Sequence, residues 1–187
     1  MDLIINLKQI DLKKQENRFT EDIVLPAGRG KDIRVGIIGD NLVLKGKGKA
    51  DKLITEKDLN ALGKNAKGQK TIAKEVDFFI AEAPFMPKVG KLLGKVLGIK
   101  GKMPKPLPPQ ADPVPVINML KKTVRVRLKD NPVMQCSFGV ESMKDEDLEK
   151  NFNTVLSAVL KKLPSGKNNV SSVCIKTTMG KPTEVKI

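Results

Sequence analysis

The chain has 187 residues and a formal net charge of +14, because 35 Lys and Arg residues outnumber 21 Asp and Glu residues and His is absent. The lack of His excludes catalysis by an imidazole base and removes a common metal ligand. The lack of Trp and Tyr argues against a protein that stacks single-stranded bases on aromatic side chains. We therefore expect a non-enzymatic protein without cofactor or metal.

The hydropathy pattern favours a chain with a sizeable core. Hydrophobic residues make up 40% of the sequence, which is enough for one large domain or two small ones. No segment reaches the roughly 18–20 apolar residues that cross a bilayer, and the first residues lack the layout of a signal peptide. We expect a cytoplasmic protein with no membrane partner. Cys136 and Cys174 are far apart in sequence, and we expect both to be reduced and buried.

The first part of the chain contains three predicted strands. Residues 3–7 and 21–25 have the composition of strands, and a segment rich in turn residues follows at 26–31. The continuous apolar run at 33–38 predicts a strand that is buried on both faces of a parallel sheet.

The middle of the chain alternates predicted strands and helices. Thr55 is a candidate N-cap for a short helix that ends at Gly63. An apolar run at 76–81 predicts a buried strand, and helical spacing of apolar residues follows at 89–97. Prolines then break the helix, and a second helix begins near residue 114. This alternation indicates an α/β sheet with crossover connections.

The last third returns to an antiparallel pattern. Apolar and polar residues alternate at 124–129 and again at 133–138, which predicts a hairpin. An apolar stripe at 148–163 predicts a helix, and 173–175 and 184–187 are final strands. Antiparallel signals at both ends therefore flank a parallel pattern in the middle. We predict an α+β split domain, an antiparallel sheet with packed helices, and an inserted α/β domain.

The most concentrated charge signal lies between Glu82 and Asp112, where six Lys residues occur without any acidic residue. These are Lys88, Lys91, Lys95, Lys100, Lys102 and Lys105. Helix surfaces normally mix charges of both signs, so this stretch suggests an anionic partner. A solvated Lys-rich face explains the same pattern equally well.

A second signal is the segment 176–182, Lys-Thr-Thr-Met-Gly-Lys-Pro. Small hydroxyl residues and glycine can approach an RNA minor groove closely and bond to 2′-hydroxyl groups. Taken alone, an ordinary turn at the end of a strand is the simpler explanation.

The glycine and lysine pairs of this chain do not match the phosphate-binding loop of nucleotide-binding proteins. Gly90-Lys91 and Gly94-Lys95 have no Gly five residues earlier and no following Ser or Thr, so the phosphate-binding P-loop pattern is not met. A nucleotide-binding α/β enzyme therefore remains only as an alternative of low merit.

Four segments in order resemble the ribosomal protein L1 family of the large subunit, in its archaeal type. They are residues 25–31, 77–83 with Met86-Pro87, 97–106 and 177–180. The family commonly has His at Ala27 and Pro at Ile99, and its Gly is normally followed directly by Pro, whereas Lys181 intervenes here. It also usually has an N-terminal helix and a Phe-Thr segment, which would precede Met1.

The resemblance implies a two-domain protein of the mobile stalk beside the ribosomal exit site. The split domain, 1–28 and 123–187, would hold stalk rRNA and in many members also the protein's own mRNA as a repressor. The inserted domain, 29–122, would be a Rossmann-like three-layer structure without a dinucleotide. Stalk movement would accompany release of deacylated tRNA, and the protein would be a monomer within the ribosome. The alternative is a basic ribosome-biogenesis protein of the same fold that binds RNA.

The resemblance and the two charge signals together give the predicted sites. The predicted RNA-binding residues are Ser172, Lys176, Thr177, Thr178, Met179, Gly180 and Lys181. Candidate contacts to RNA or tRNA are Lys88, Lys91, Lys100, Lys102 and Lys105. The predicted hinge residues are Gly28, Gly30 and Thr123.

Overall fold

The computed structural model describes residues 1–185, apart from the side chains of residues 16 and 64. Within this range the strands, in chain order, are β1 (Asp2–Leu7), β2 (Phe19–Val24), β3 (Val35–Ile38), β4 (Lys52–Ile54), β5 (Phe78–Glu82), β6 (Lys105–Leu107), β7 (Thr123–Leu128), β8 (Val133–Ser137), β9 (Val170–Lys176) and β10 (Thr183–Val185). The α-helices are α1 (Asn41–Lys45), α2 (Glu56–Lys64), α3 (Ala66–Glu75), α4 (Met86–Lys100), α5 (Pro113–Lys121) and α6 (Asp145–Lys162). The predicted mixture of α and β structure is confirmed.

The chain divides into two compact units. The first takes in Met1–Lys31 and the residues from Lys122 onward, and the second is Asp32–Lys121. In the first unit, four antiparallel strands lie in the order β10-β9-β1-β8, and β2 pairs with β7 in a second sheet. Of the predicted strand 184–187, Lys186 and Ile187 lie outside the described residues.

The core of the first unit follows from alternation along the strands. Leu3, Ile5 and Leu7 of β1 are buried, and so is Val173 on the neighbouring β9. The apolar stripe of α6, including Val155, packs against this inner face. Each buried aliphatic side chain of this kind contributes about 1.5–3 kcal/mol relative to an exposed one. The alternate residues of β1, which are Asp2, Ile4 and Asn6, lie on the outer face of the same sheet.

The predicted hairpin between 124–129 and 133–138 is wrong. β7 pairs antiparallel with β2, and β8 pairs antiparallel with β1. The bend at 129–132 therefore carries the chain from one sheet to the other. Alternation identifies the buried face of each strand, but a short polar connection does not fix the pairing partner.

The second unit contains a parallel sheet in the order β4-β3-β5-β6. Helices α2, α3 and α4 pack on one face, and α1 and α5 pack on the other. Every residue of β3 and β5 is buried, as predicted for central parallel strands. Thr55 caps α2 through a reciprocal pair of hydrogen bonds with Asp58, which confirms the predicted N-cap.

Several short elements of the second unit were not predicted. The sequence gives no periodic signal for α1 or β4, which have five and three residues, and α3 is also unpredicted. The segment 104–109 was predicted only as a proline break, yet it contains β6. Because β6 is an edge strand bonded to β5 alone, Pro106 can occupy it without disrupting a second ladder.

One buried polar side chain holds the backbone of the segment that follows β2 in the first unit. Asn151 of α6 is fully buried and accepts a hydrogen bond from the Ala27 amide at 3.2 Å. Its Nδ2 donates to the carbonyls of Gly28 and Phe138 at 2.8 and 2.9 Å. All three backbone groups would lose a partner if this amide were removed.

We expect Asn151→Ala to lower the free energy of unfolding by about 3 kcal/mol, because it leaves buried donors and acceptors unsatisfied. Urea denaturation followed by circular dichroism measures this change. Asn153→Ala, at an exposed position of the same helix, is the control and should change stability by less than about 0.5 kcal/mol. Equal effects of both substitutions would contradict the assigned role of Asn151.

Candidate nucleic-acid interface

The outer face of the four-stranded sheet carries a row of mostly polar residues from β9 and β1. Val173 and Ile175 pack against the core, so the alternate residues Ser172, Cys174 and Lys176 lie on the opposite face. All three are half-buried. In the register of β1, Asn6, Ile4 and Asp2 stand beside them in that order.

A tight turn follows β9 directly. The amide of Gly180 donates to the Thr177 carbonyl at 3.1 Å, and Lys176 Nζ donates to the Thr178 carbonyl at 3.4 Å. Met179, between them, is 96% exposed. Single exposed apolar side chains are common on protein surfaces, but this one lies at the tip of a turn that is ordered by two hydrogen bonds.

Gly180 permits a close approach inside this turn. A Cβ atom at this position would lie 2.2 Å from Thr177 Oγ1, far inside van der Waals contact. A larger residue would therefore displace the Thr177 side chain. The structure brings together the whole predicted set from Lys176 to Lys181, with Ser172 on the same sheet face.

A cavity of about 340 Å³ lies beside the turn. It is lined by Asp2, Ile4, Gln135, Cys136, Ser137, Lys176 and Thr178. Most of these residues come from β1 and β8, and the sequence prediction missed them. No local signal could have found them, because strand pairing over more than a hundred residues places them next to Lys176.

The predicted hinge residues have the following conformations. Gly28 and Gly30 have φ values of +75° and +70°. At Gly30 a Cβ atom would also lie 2.5 Å from Val140 Cγ2, so this position requires glycine on both grounds. Thr123 is buried at the first position of β7.

The candidate Lys contacts of the second unit differ in their surroundings. Lys91 is exposed on α4, while Lys100 and Lys105 are half-buried. Lys88 pairs with Glu56. Lys102 has a side chain only 19% exposed, and its Nζ donates to the Val76 carbonyl at 2.6 Å. The ammonium of Lys102 therefore serves the fold of the unit.

Two of these cations, Lys100 and Lys102, lie at the end of α4 within the electrostatic reach of each other and of Lys74 in α3. Loss of hydration, followed by the charges of Lys102 and Lys74, lowers the pKa of Lys100. A cation whose neighbours are also cations is a favourable place for an incoming phosphate, because the anion relieves their repulsion.

The crevice where α/β proteins bind nucleotides is occupied here by a side chain of the chain itself. β3 and β5 are adjacent, and the connections leave them in opposite directions across the sheet, which is where such ligands bind. Glu82, at the end of β5, is buried, and its Oε1 accepts from the Leu42 amide at 2.8 Å. This carboxylate takes a backbone donor that a nucleotide phosphate would use.

The two cysteines differ in burial. Both are free, but only Cys136 is buried, whereas Cys174 is partly exposed. The prediction that both lie in the core is therefore wrong for Cys174, because β9 turns it to the outer face. Burial raises the pKa of the Cys136 thiol to about 12, while the smaller effect of Arg29 lowers it and that of Asp2 raises it.

Comparison with known proteins identifies the relatives of this chain. The sequence model of the Ribosomal protein L1p/L10e family matches residues 1–181. The chain belongs to this family. Two archaeal proteins named "Large ribosomal subunit protein uL1" are similar over almost all of the chain. That of Methanothermobacter thermautotrophicus is 47% identical over 96% of this chain and 86% of its own length. That of Pyrococcus horikoshii is 44% identical over 100% of this chain and 86% of its own.

Membership of the ribosomal protein L1 family agrees with the prediction of a non-enzymatic protein, since these relatives are named as proteins of the large ribosomal subunit. In the part of the chain that the structure describes, no helix has the length and apolarity to cross a membrane. Among the same residues, no three or more Cys, Asp or Glu side chains converge where a metal ion could be held.

The different burial of the two thiols predicts different rates of chemical modification in this member of the L1 family. At pH 8 a disulfide-exchange reagent should modify Cys174 rapidly and Cys136 only after unfolding, since a buried, protonated thiol is a poor nucleophile. The absorbance of the released chromophore, followed over time, measures both reaction rates. Cys174→Ser should abolish the fast phase, and Cys136→Ser should leave it intact. A fast phase that survives in Cys174→Ser would contradict the assignment.

Proposed function

We propose that this chain is a structural constituent of the large ribosomal subunit in the cytoplasm and that its first unit binds the rRNA of the mobile stalk. The observation that carries the proposal is the Thr178-Met179-Gly180 turn, whose Met179 is 96% exposed beside the polar face of the sheet. The relatives, named as large-subunit proteins, supply the ribosomal setting.

The chemistry of this surface suits structured RNA. Lys176 and Lys181 flank the turn and would neutralise phosphates, which supplies affinity without sequence information. The turn itself has small residues around Met179, so an RNA groove can approach its backbone. Selectivity would then come from shape and from hydrogen bonds to 2′-hydroxyl groups.

The finer organisation that we propose is a split rRNA-binding domain, 1–28 and 123–187, with a Rossmann-like domain, 29–122, inserted in it. In support, the second unit has a parallel sheet with helices on both faces. Gly28 and Gly30 would form the hinge with Thr123. The inserted domain would contact exit-site tRNA and assist its release, through Lys91, Lys100 and Lys105.

A repressor role follows from the same surface. If the protein's own mRNA carries a structure like that of the stalk, it would compete with rRNA for the Thr178-Met179-Gly180 turn. Co-sedimentation with large ribosomal subunits at raised salt distinguishes a subunit constituent from a biogenesis factor, since a constituent should remain with mature subunits.

Substitution of the exposed methionine tests the proposed rRNA surface. We expect Met179→Ala to weaken binding of a transcribed stalk rRNA fragment at least about tenfold, because burial of a Met side chain contributes about 1.5–3 kcal/mol. Filter-binding titration measures the change. Met119→Ala is the control, since Met119 is 51% exposed on α5 of the other unit, and its affinity should equal that of the unaltered chain.

Gly180→Val tests the close approach at the same turn. The added side chain meets Thr177 and projects from the turn, so specific binding should fall by more than about a hundredfold while the circular dichroism spectrum is unchanged. Unchanged affinity would refute the proposed surface.

Two lysines of the second unit test whether it contacts the bound RNA or tRNA. In a plot of the logarithm of the RNA-binding constant against the logarithm of the salt concentration, we expect Lys91→Ala to flatten the slope by about 1 unit, as the loss of one phosphate contact does. Lys102→Ala should leave that slope unchanged and lower thermal stability instead, because its ammonium bonds to Val76 and faces Asp77. An unchanged slope in Lys91→Ala would remove Lys91 from the proposed contacts.

A further inference from the structure

A cross-strand pair on the outer sheet face has a polarity that suits one chemical group of RNA. Asn6 of β1 stands opposite Ser172 of β9, and Asn6 Nδ2 donates to Ser172 Oγ at 2.8 Å. Both side chains are half-buried and face away from the core. On the other side of β1, the register partner of Asn6 is Val133, whose side chain offers no hydrogen-bonding group.

The direction of this hydrogen bond determines what the pair can offer to a ligand. Because Ser172 Oγ accepts from the amide, its own O–H points elsewhere and can donate. Asn6 Oδ1 accepts no hydrogen bond from the described residues of the chain. The pair therefore presents a hydroxyl donor next to an amide acceptor.

The local backbone favours a role for this pair beyond the stability of the sheet. Asn is disfavoured in strands, yet Asn6 interrupts the apolar run of β1. The pairing of β1 with β9 also shifts register between Asn6 and Leu7. Such irregularities commonly re-aim a side chain beside a functional site.

We propose that Asn6 is a positioning and specificity residue that orients Ser172 so that the two side chains together bind a ribose 2′-hydroxyl. A 2′-hydroxyl both donates and accepts, so it can accept from the Ser172 hydroxyl while it donates to Asn6 Oδ1. A deoxyribose offers neither interaction. The inference rests on the proposed binding of rRNA by the first unit, and it assigns to this pair the distinction between RNA and DNA at one nucleotide.

The position of the pair agrees with a continuous RNA track. Ser172 is four residues before Lys176 on the same face of β9, which corresponds to about 13 Å along the strand. An RNA that contacts the Thr178-Met179-Gly180 turn can thus extend along the sheet to Asn6.

The experiment compares a transcribed stalk rRNA fragment with copies that carry a single 2′-deoxy substitution at each successive position. For the unaltered chain we expect one position where the substitution weakens binding about 5- to 10-fold, as the loss of hydrogen bonds to one hydroxyl does. Ser172→Ala and Asn6→Ala each remove one of the two hydrogen bonds, so each should bind the all-ribose fragment more weakly and show a smaller ratio of ribose to deoxyribose affinity at that position. The double variant should bring this ratio to about 1.

Two further variants separate reading of the hydroxyl from structural support. Asn6→Asp keeps the volume, but its carboxylate only accepts, so the Ser172 hydroxyl turns toward it and no longer donates to the 2′-hydroxyl. The ratio should therefore fall to the value found for Ser172→Ala. Ser171→Ala, at the exposed neighbouring position, should keep the full ratio. Thermal denaturation checks that every variant is folded.

The outcomes are distinct. If the unaltered chain fails to bind the all-ribose fragment, the proposed function itself is refuted. If it binds but no deoxy position matters, or if the ratio persists in Ser172→Ala, Asn6→Ala and Asn6→Asp, the pair does not read a 2′-hydroxyl and the inference is overturned while rRNA binding stands.

Discussion

The pairing of β1 with β9 is the constraint on which the first unit depends. β1 lies at the start of the chain and β9 near its end, yet they are neighbours in the sheet, and β8 completes the other side of β1. The cost of closing so long a loop must be met before any of these contacts forms. Polar residues of both strands become one surface only when this pairing is complete, so the candidate interface and the fold of the first unit form together.

Positive charge alone does not mark the sites of this molecule. The +14 charge suggests an anionic partner, but the structure divides the lysines by what each already contacts. Lys102 is bonded to the backbone of its own unit, and Lys88 is paired with a glutamate. Lys91 remains exposed. Salt bridges and internal hydrogen bonds thus decide which cations are available, and that information lies in tertiary contacts.

Local patterns predicted much of the fold because burial alternates with the period of each element. They identified the central strands β3 and β5, the stripe of α6 and the N-cap at Thr55. The same patterns could not choose the partner of β7, because pairing depends on which edges meet in three dimensions. Asn6 and Gln135 were missed for a related reason, since neither belongs to a motif and each acquires its neighbours through β1. The Thr178 turn could be proposed as a site from the sequence because all of its residues are contiguous.

The exposure of Met179 has a thermodynamic consequence. The turn that holds it is already ordered by its own hydrogen bonds from Gly180 and Lys176, so a partner meets an apolar group that needs no rearrangement to become available. Because the turn is ordered when the protein folds, the entropic cost of ordering it does not weaken association with a partner. Transfer of the thioether from water to a groove should then appear as a negative change in heat capacity upon complex formation. In the function that we propose, rRNA therefore meets this small hydrophobic surface without any rearrangement of the free protein.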